Sequence, residues 1–321
     1  MGQLIPDTKP PLTCNTIPTL DYLAQLPAPV PALERPPSAF GNTSLIIPKR
    51  HGNPHPLPDG PAEVTYYFPI KNCNPTGVFF PTRFSFPPAI DVILYFHGFK
   101  LGEFRYINEY WSGHLHDIQF RDDINVSGKN VVLIAPTLGP RPGGADSSDM
   151  GPFANPKGGD QFLAEIVRWI GKYVPQYASR CVTPSIRNLV LAGHSGAGVI
   201  LQKQAWSMET PIKQIWGFDS MYGSETKAEK ENKKITFHVA SVVTDWLSLA
   251  TSRQDITFFF HWGTSPLRDN ETKLADLVKL SDLNNVTVAE TTATKGQDSM
   301  AHHFAVLTSN FGVRVKNAKC F

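Results

Sequence analysis

With 321 residues, 41% of them hydrophobic, and a formal net charge of +2, the chain can bury a sizeable core in one large α/β domain or two smaller ones. The near-neutral balance leaves no electrostatic footprint for nucleic acid or for an acidic polymer. No stretch approaches the roughly 18 consecutive apolar residues of a membrane span.

The first residues, MGQLIPDTKPPL, lack the basic start and apolar middle of a signal peptide, so the compartment stays open: cytoplasmic, or secreted with a leader removed. Half of the 28 prolines fall in the first 61 residues. Proline removes backbone donors and fixes φ, so residues 1–62 are expected to form an extended Pro-rich arm, ordered or disordered, ahead of a domain spanning residues 63–321. No internal repeat occurs at solenoid or propeller periods. Cys14, Cys73, Cys181 and Cys320 lie far apart with no zinc-like spacing, and their even number permits two disulfides. Asn42, Asn125, Asn270 and Asn285 open N-x-S/T sequons, which would suit a secreted protein.

From Glu63 onward, EVTYYFPI and VFFPTRFSF are predicted strands, and AIDVILYF at 89–96 is an apolar run of the kind buried on both faces of a parallel sheet. FKLGEFRYINEYW at 99–111 is dense in aromatics, suited to lining a pocket or to outer packing. His51, His55, His114, His116, His238 and His261 form no metal-ligand pattern, and no metal or other cofactor is expected. NVVLIAP at 130–136 is a further strand. In GGDQFLAEIVRWIGKYV, Phe162, Ile166, Ile170 and Val174 line one helical face with Asp160 as the expected N-cap. NLVLAG at 188–193 is a third buried strand, followed by a helix from about Ala197 to Ser207. IKQIWGF, DITFFFHW and NNVTVAE continue the alternation, with ETKLADLVKLS as the helix between the last two. SETKAEKENKK at 224–234 mixes charge signs and is expected to be a solvated loop or helix face. Strands alternating with helices predict a mostly parallel sheet covered on both faces.

Within that pattern, LVLAGHSGAGVI at 189–200 places Ser195 where a buried strand hands over to a helix, the end of the sheet where reactive groups collect in open α/β folds. Exposing its Oγ requires a sharp turn that tolerates only small neighbours two residues away on each side, and these are Gly193 and Ala197. Free N–H groups at the start of the following helix suit a developing oxyanion.

These residues resemble the α/β-hydrolase superfamily: GHSGA at 193–197 its nucleophile elbow, YFHGF at 95–99 its oxyanion turn, and AHHFAVL at 301–307 its late histidine loop. Ala197 departs from the last glycine of the elbow pattern. The resemblance covers roughly residues 63–315 and implies an α/β-hydrolase fold and a serine hydrolase. Ser195 would be the nucleophile, the backbone N–H groups of Phe99 and Gly196 the oxyanion donors, and His97 and His194 packed rather than catalytic. His302 and His303 both suit the base; His303 is favoured because the family follows its histidine with an apolar residue that starts a terminal helix. The acid is expected after the next-to-last strand, but there Gly263 leads to Thr264, Ser265 and Pro266, with Asp269 late; Asp219, directly after IKQIWGF, is the expected acid instead. The implied reaction is cofactor-free hydrolysis of a carboxylic ester, on a small molecule or borne by a polymer, through an acyl-enzyme. An amidase, peptidase, thioesterase or acyltransferase would share the triad, and a non-catalytic binding protein could retain the fold.

Overall fold

The computed structural model describes residues 64–68, 76–98, 118–138, 150–221, 230–231, 234–235, 239–263, 268–292 and 299–321. The Pro-rich segment, the aromatic stretch 99–111 and Phe99 lie outside the described residues.

Among the described residues there are ten strands: β1 (Val64–Phe68), β2 (Thr76–Phe80), β3 (Ala89–Phe96), β4 (Val131–Pro136), β5 (Ser185–His194), β6 (Ile212–Phe218), β7 (Lys230–Glu231), β8 (Lys234–Ile235), β9 (Thr257–Trp262) and β10 (Val286–Glu290). Eight of them build one sheet in the order β1-β2-β4-β3-β5-β6-β9-β10, while β7 and β8 pair separately. The β1–β2 and β2–β4 pairings are antiparallel, and every pairing from β4 to β10 is parallel. Strand β2 stops at Phe80, short of the predicted VFFPTRFSF, because Pro81 has no N–H for the ladder.

The helices are α1 (Phe120–Ser127), α2 (Gly158–Tyr173), α3 (Pro175–Ala178), α4 (Gly198–Ser207), α5 (Val239–Ser252), α6 (Arg268–Leu280) and α7 (Ser299–Asn317). Alternation along β3 divides the core between the two sheet faces. Ile90, Val92, Leu94 and Phe96 join one cluster with residues of α2, α4, α5 and α6, whereas Ile93 and Tyr95 join a second with α1 and α7. No helix among the described residues is long and apolar enough to cross a membrane.

The single charge inside the β3 run is accounted for locally. Asp91 is buried but accepts two hydrogen bonds from Arg187, at 2.9 and 2.5 Å, and one from Asn188 at 2.8 Å. Asn188 also donates to the Cys320 carbonyl, fastening the chain end under the sheet.

Four further expectations change. Helix α2 opens at Gly158 after Lys157 in a left-handed conformation (φ 58°), so Asp160 is not its N-cap. Its carboxylate instead accepts the N–H groups of Glu209 and Thr210, both at 2.9 Å, and the Thr210 hydroxyl at 2.6 Å. Cys320 is a free thiol whose pKa burial pushes up to about 11, while Cys181 is disulfide-bonded, so two disulfides do not form. Part of the mixed-charge run, expected as loop or helix face, forms the β7–β8 pair, Lys230–Glu231 with Lys234–Ile235. Helix α7 begins at Ser299, four residues before His303, and so starts ahead of the predicted position.

Of the four sequon asparagines, Asn42 lies outside the described residues and the other three have side chains engaged in structure. Asn125 accepts the Thr82 N–H, and Asn270 is buried and donates to the Met221 carbonyl at 3.0 Å. Asn285 donates to the carbonyls of Ala250, Arg253 and Ile256 at 3.0, 3.3 and 3.1 Å, tying the end of α5 to the start of β9. Asn285→Asp replaces that donor with an oxygen facing three carbonyls and is expected to cost roughly 1–3 kcal/mol, read as a lower midpoint in urea unfolding. An unchanged midpoint would show that these bonds contribute nothing net.

Candidate active site

Strand register brings the candidate residues to one edge of the sheet. Phe96 of β3 pairs with Gly193 of β5, Gly193 and His194 pair with Gly217 and Phe218 of β6, and Phe218 pairs with His261 of β9. The residues that follow these ends, His97 and Gly98, Ser195, and Asp219, therefore emerge side by side at the carboxyl edge.

Ser195 leaves β5 in a left-handed conformation, φ 55°, and opens a 3₁₀ turn (Ser195–Ala197) that leads directly into α4. A β-carbon on Gly193 would come within 2.8 Å of Leu201 Cδ1 and 3.2 Å of Ala197 Cβ, which is why the flanks must be small. Ala197 therefore occupies the departing elbow position without blocking the turn. Gly98 lies closer still: a β-carbon there would sit 2.7 Å from Ser195 Cβ and 3.2 Å from its Oγ. The turn after β3 is thus pressed against the serine. Gly196 lies within the 3₁₀ turn, next to the serine.

His97 shapes that turn as a neutral ring. Its Nδ1–H donates to the Gly98 carbonyl at 2.8 Å, and its Nε2 accepts the Leu138 N–H at 2.7 Å. Burial lowers its pKa to about 4, so both bonds hold at neutral pH.

Asp219 ends β6 in a second left-handed conformation, φ 47°, which aspartate tolerates better than most residues. Its side chain is 0% exposed. The backbone N–H donates to the His261 carbonyl at 2.6 Å, Oδ1 accepts the Gly263 N–H at 3.1 Å, and Oδ2 lies 2.5 Å from His303 Nδ1. The two adjacent histidines of α7 part company here. His302 Nε2 contacts the Thr291 carbonyl at 2.7 Å and packs against Gly263, whereas His303 meets the carboxylate. Asp269, the alternative acid, stands in the first turn of α6.

One residue at this site carries no sequence signal. Glu271, in the first turn of α6, is 1% exposed, and burial followed by the charge of Asp219 raises its pKa from 4.5 to about 9. Only the fold, which sets α6 against the 219–221 turn through Asn270, brings this second carboxyl near the first. Below pH 4.5 folded and unfolded chains both hold the proton; between 4.5 and 9 only the folded chain does; so Glu271 costs stability as pH rises through that window. Glu271→Gln is expected to stabilise the protein by an amount that grows between about pH 5 and 9, at most about 1.4 kcal/mol per pH unit. Thermal melts across that range would show it, and a pH-independent difference would exclude a neutral Glu271.

No family model matches the sequence, and no curated protein matches it. The fold does match solved structures. One is a ferulic acid esterase, 17% identical, with a TM-score of 0.50 over 81% of this chain and 98% of that one. Others are an S-formylglutathione hydrolase from Agrobacterium tumefaciens, 12% identical with a TM-score of 0.47 over 80% of this chain and 94% of that one, and the feruloyl esterase module from Clostridium thermocellum, 12% identical with a TM-score of 0.47 over 84% and 93%. Together with its strand order, the first match shows that this chain has the α/β-hydrolase fold.

Proposed function

We propose that the protein is a serine hydrolase acting on carboxylic esters, with Ser195 as nucleophile, His303 as general base and Asp219 as the acid that orients it. The observation that carries this reading is the 2.5 Å contact between Asp219 Oδ2 and His303 Nδ1, formed at the strand edge where Ser195 turns in a left-handed conformation. On this reading residues 63–321 form the catalytic domain, preceded by an arm over residues 1–62. The substrate is an ester of a small molecule or of a polymer, a class to which the ferulic acid esterase of similar fold lends support.

The chemistry follows from what an ester carbonyl requires. A serine hydroxyl is a weak nucleophile, so His303 takes its proton through Nε2 as Oγ attacks the carbonyl carbon. Asp219, accepting from Nδ1–H, holds the ring in the tautomer that leaves Nε2 free and stabilises the imidazolium that forms. The tetrahedral oxyanion accepts hydrogen bonds from the N–H groups of Gly196 and Phe99, each worth roughly 3 kcal/mol where such donors have been removed. His303 returns the proton to the leaving alcohol, giving the acyl-enzyme. Water, deprotonated by the same base, attacks the acyl carbon, and the acid product leaves with Ser195 restored.

Ser195→Ala is expected to abolish covalent labelling by a fluorophosphonate, read by intact mass, and to lower turnover of p-nitrophenyl esters by several orders of magnitude. Stoichiometric labelling of that variant would remove Ser195 from the mechanism. Because His302 and His303 make different contacts, His303→Gln should lose about 10³-fold or more in kcat, while His302→Gln stays within about ten-fold of wild type. The reverse ranking would exchange their roles.

A further inference from the structure

His194, the residue before the serine, is 1% exposed and belongs to β5, yet its side chain reaches α7. Its Nε2 lies 3.2 Å from the His303 carbonyl oxygen, and since a carbonyl only accepts, His194 holds its proton on Nε2. Its ring also packs on the His303 ring, with centroids 4.3 Å apart and planes inclined by 36°. Phe304 lies 5.3 Å from the His194 ring and 5.6 Å from the His303 ring, so the three rings form one cluster, and Nδ1 of His194 has no hydrogen-bond partner among the described residues. His194 thus touches both the backbone and the imidazole of His303 while being covalently joined to Ser195.

We propose that His194 is a positioning residue that fixes the distance and proton affinity of the His303 base relative to Ser195. This rests on the hydrolase reading above. Asp219 grips His303 at Nδ1 and sets its tautomer, but that bond alone leaves the ring a pivot, against which the rings of His194 and Phe304 stand. The Nε2–H bond of His194 to the His303 carbonyl pins the helical backbone, and ring packing closes the pivot. Because His194 directly precedes Ser195, any drift of β5 carries the base with the nucleophile. A near-attack geometry depends on holding these groups to within a fraction of an ångström.

The arrangement requires that His194 stay uncharged. Burial, then the neighbouring His303, push its pKa down to about 3, with Asp219 opposing and His97 adding to that shift. Neutral His97 and the Asp219 carboxylate are its remaining titratable neighbours, so His303 gains its proton during turnover without a cation beside it. The apolar face of His194 meanwhile keeps water from the covered side of the base.

Three variants separate the two contacts. His194→Phe keeps a ring and removes the N–H; His194→Gln keeps an N–H and removes the ring; His194→Ala removes both. Phe and Gln are each expected to lower kcat/KM for a p-nitrophenyl ester about ten-fold, the equivalent of one hydrogen bond, and Ala more than either. Ala should also move the acidic limb of the kcat/KM profile by about half a pH unit or more, as water reaches the imidazole. Folded variants with wild-type kcat/KM and an unshifted profile would overturn the proposal. Should all three fail to fold, ¹⁵N-histidine NMR of the wild-type protein decides. His194 must appear as the neutral Nε2–H tautomer from about pH 5 to 9, with shifts that follow the titration of His303. An Nδ1–H tautomer, or shifts indifferent to His303, overturns it. His303→Gln runs alongside: if that variant keeps turnover the hydrolase reading fails, whereas inert His194 variants beside a dead His303→Gln defeat this inference alone.

Discussion

Everything at the carboxyl edge of the sheet depends on three backbone turns packed so closely that no β-carbon fits between them. Gly98, after β3, touches the Ser195 side chain, and a β-carbon on Gly198, opening α4, would overlap the Ser220 carbonyl oxygen beside Asp219. The elbow is therefore held between the turn before it in the sheet and the turn after it. In-register strands determine where each turn starts, and glycine determines how near it can come. Two non-glycine residues at positive φ, Ser195 and Asp219, stand at the contacts so created. Such strain persists only where surrounding packing over-determines it.

Electrostatics at this edge follow from burial more than from charge pairs. His97 and His194 are both pushed well below the usual histidine range, so they act at neutral pH as neutral hydrogen-bonding frames. Glu271 is pushed the other way and stays protonated, which leaves the Asp219 charge without a second anion beside it. That environment favours one ionised carboxylate aimed at one histidine. The same low dielectric that makes an extra buried charge expensive strengthens the contact that remains.

Much of this edge was legible in the sequence because it rests on local patterns. Short apolar runs located β3, β4, β5 and β6, and the spacing of small residues around Ser195 identified the elbow. No aspartate closely follows DITFFFHWG, which points to Asp219 at the end of the preceding strand, and the structure brings that residue to His303. What escaped was set by contacts distant in sequence. Asp160 looks like a helix cap, but Lys157 adopts the left-handed conformation that starts the helix three residues earlier and frees the carboxylate for the 209–210 turn. Helix α5 carries a weak sequence signal, because VASVVTDWLSLATS is rich in β-branched residues of low helix propensity, although its buried Val242, Val243, Trp246, Leu249 and Ala250 keep helical spacing. Asn285 looks like a glycosylation acceptor until its three carbonyl partners are seen. His302 and His303 are equivalent by composition; only the helical turn of α7 sends one to Thr291 and the other to Asp219.

The central claim is that the acid stands at the end of β6 and holds the proton of His303 Nδ1. Proton NMR reads that bond directly, since an N–H shared with a buried carboxylate at short distance resonates far downfield of the amide region. The wild-type protein should show one such resonance, which Asp219→Asn abolishes without unfolding the protein, asparagine tolerating the same left-handed backbone. It should persist in Asp269→Asn. A resonance that survives Asp219→Asn and disappears in Asp269→Asn would place the acid after β9 and contradict the account.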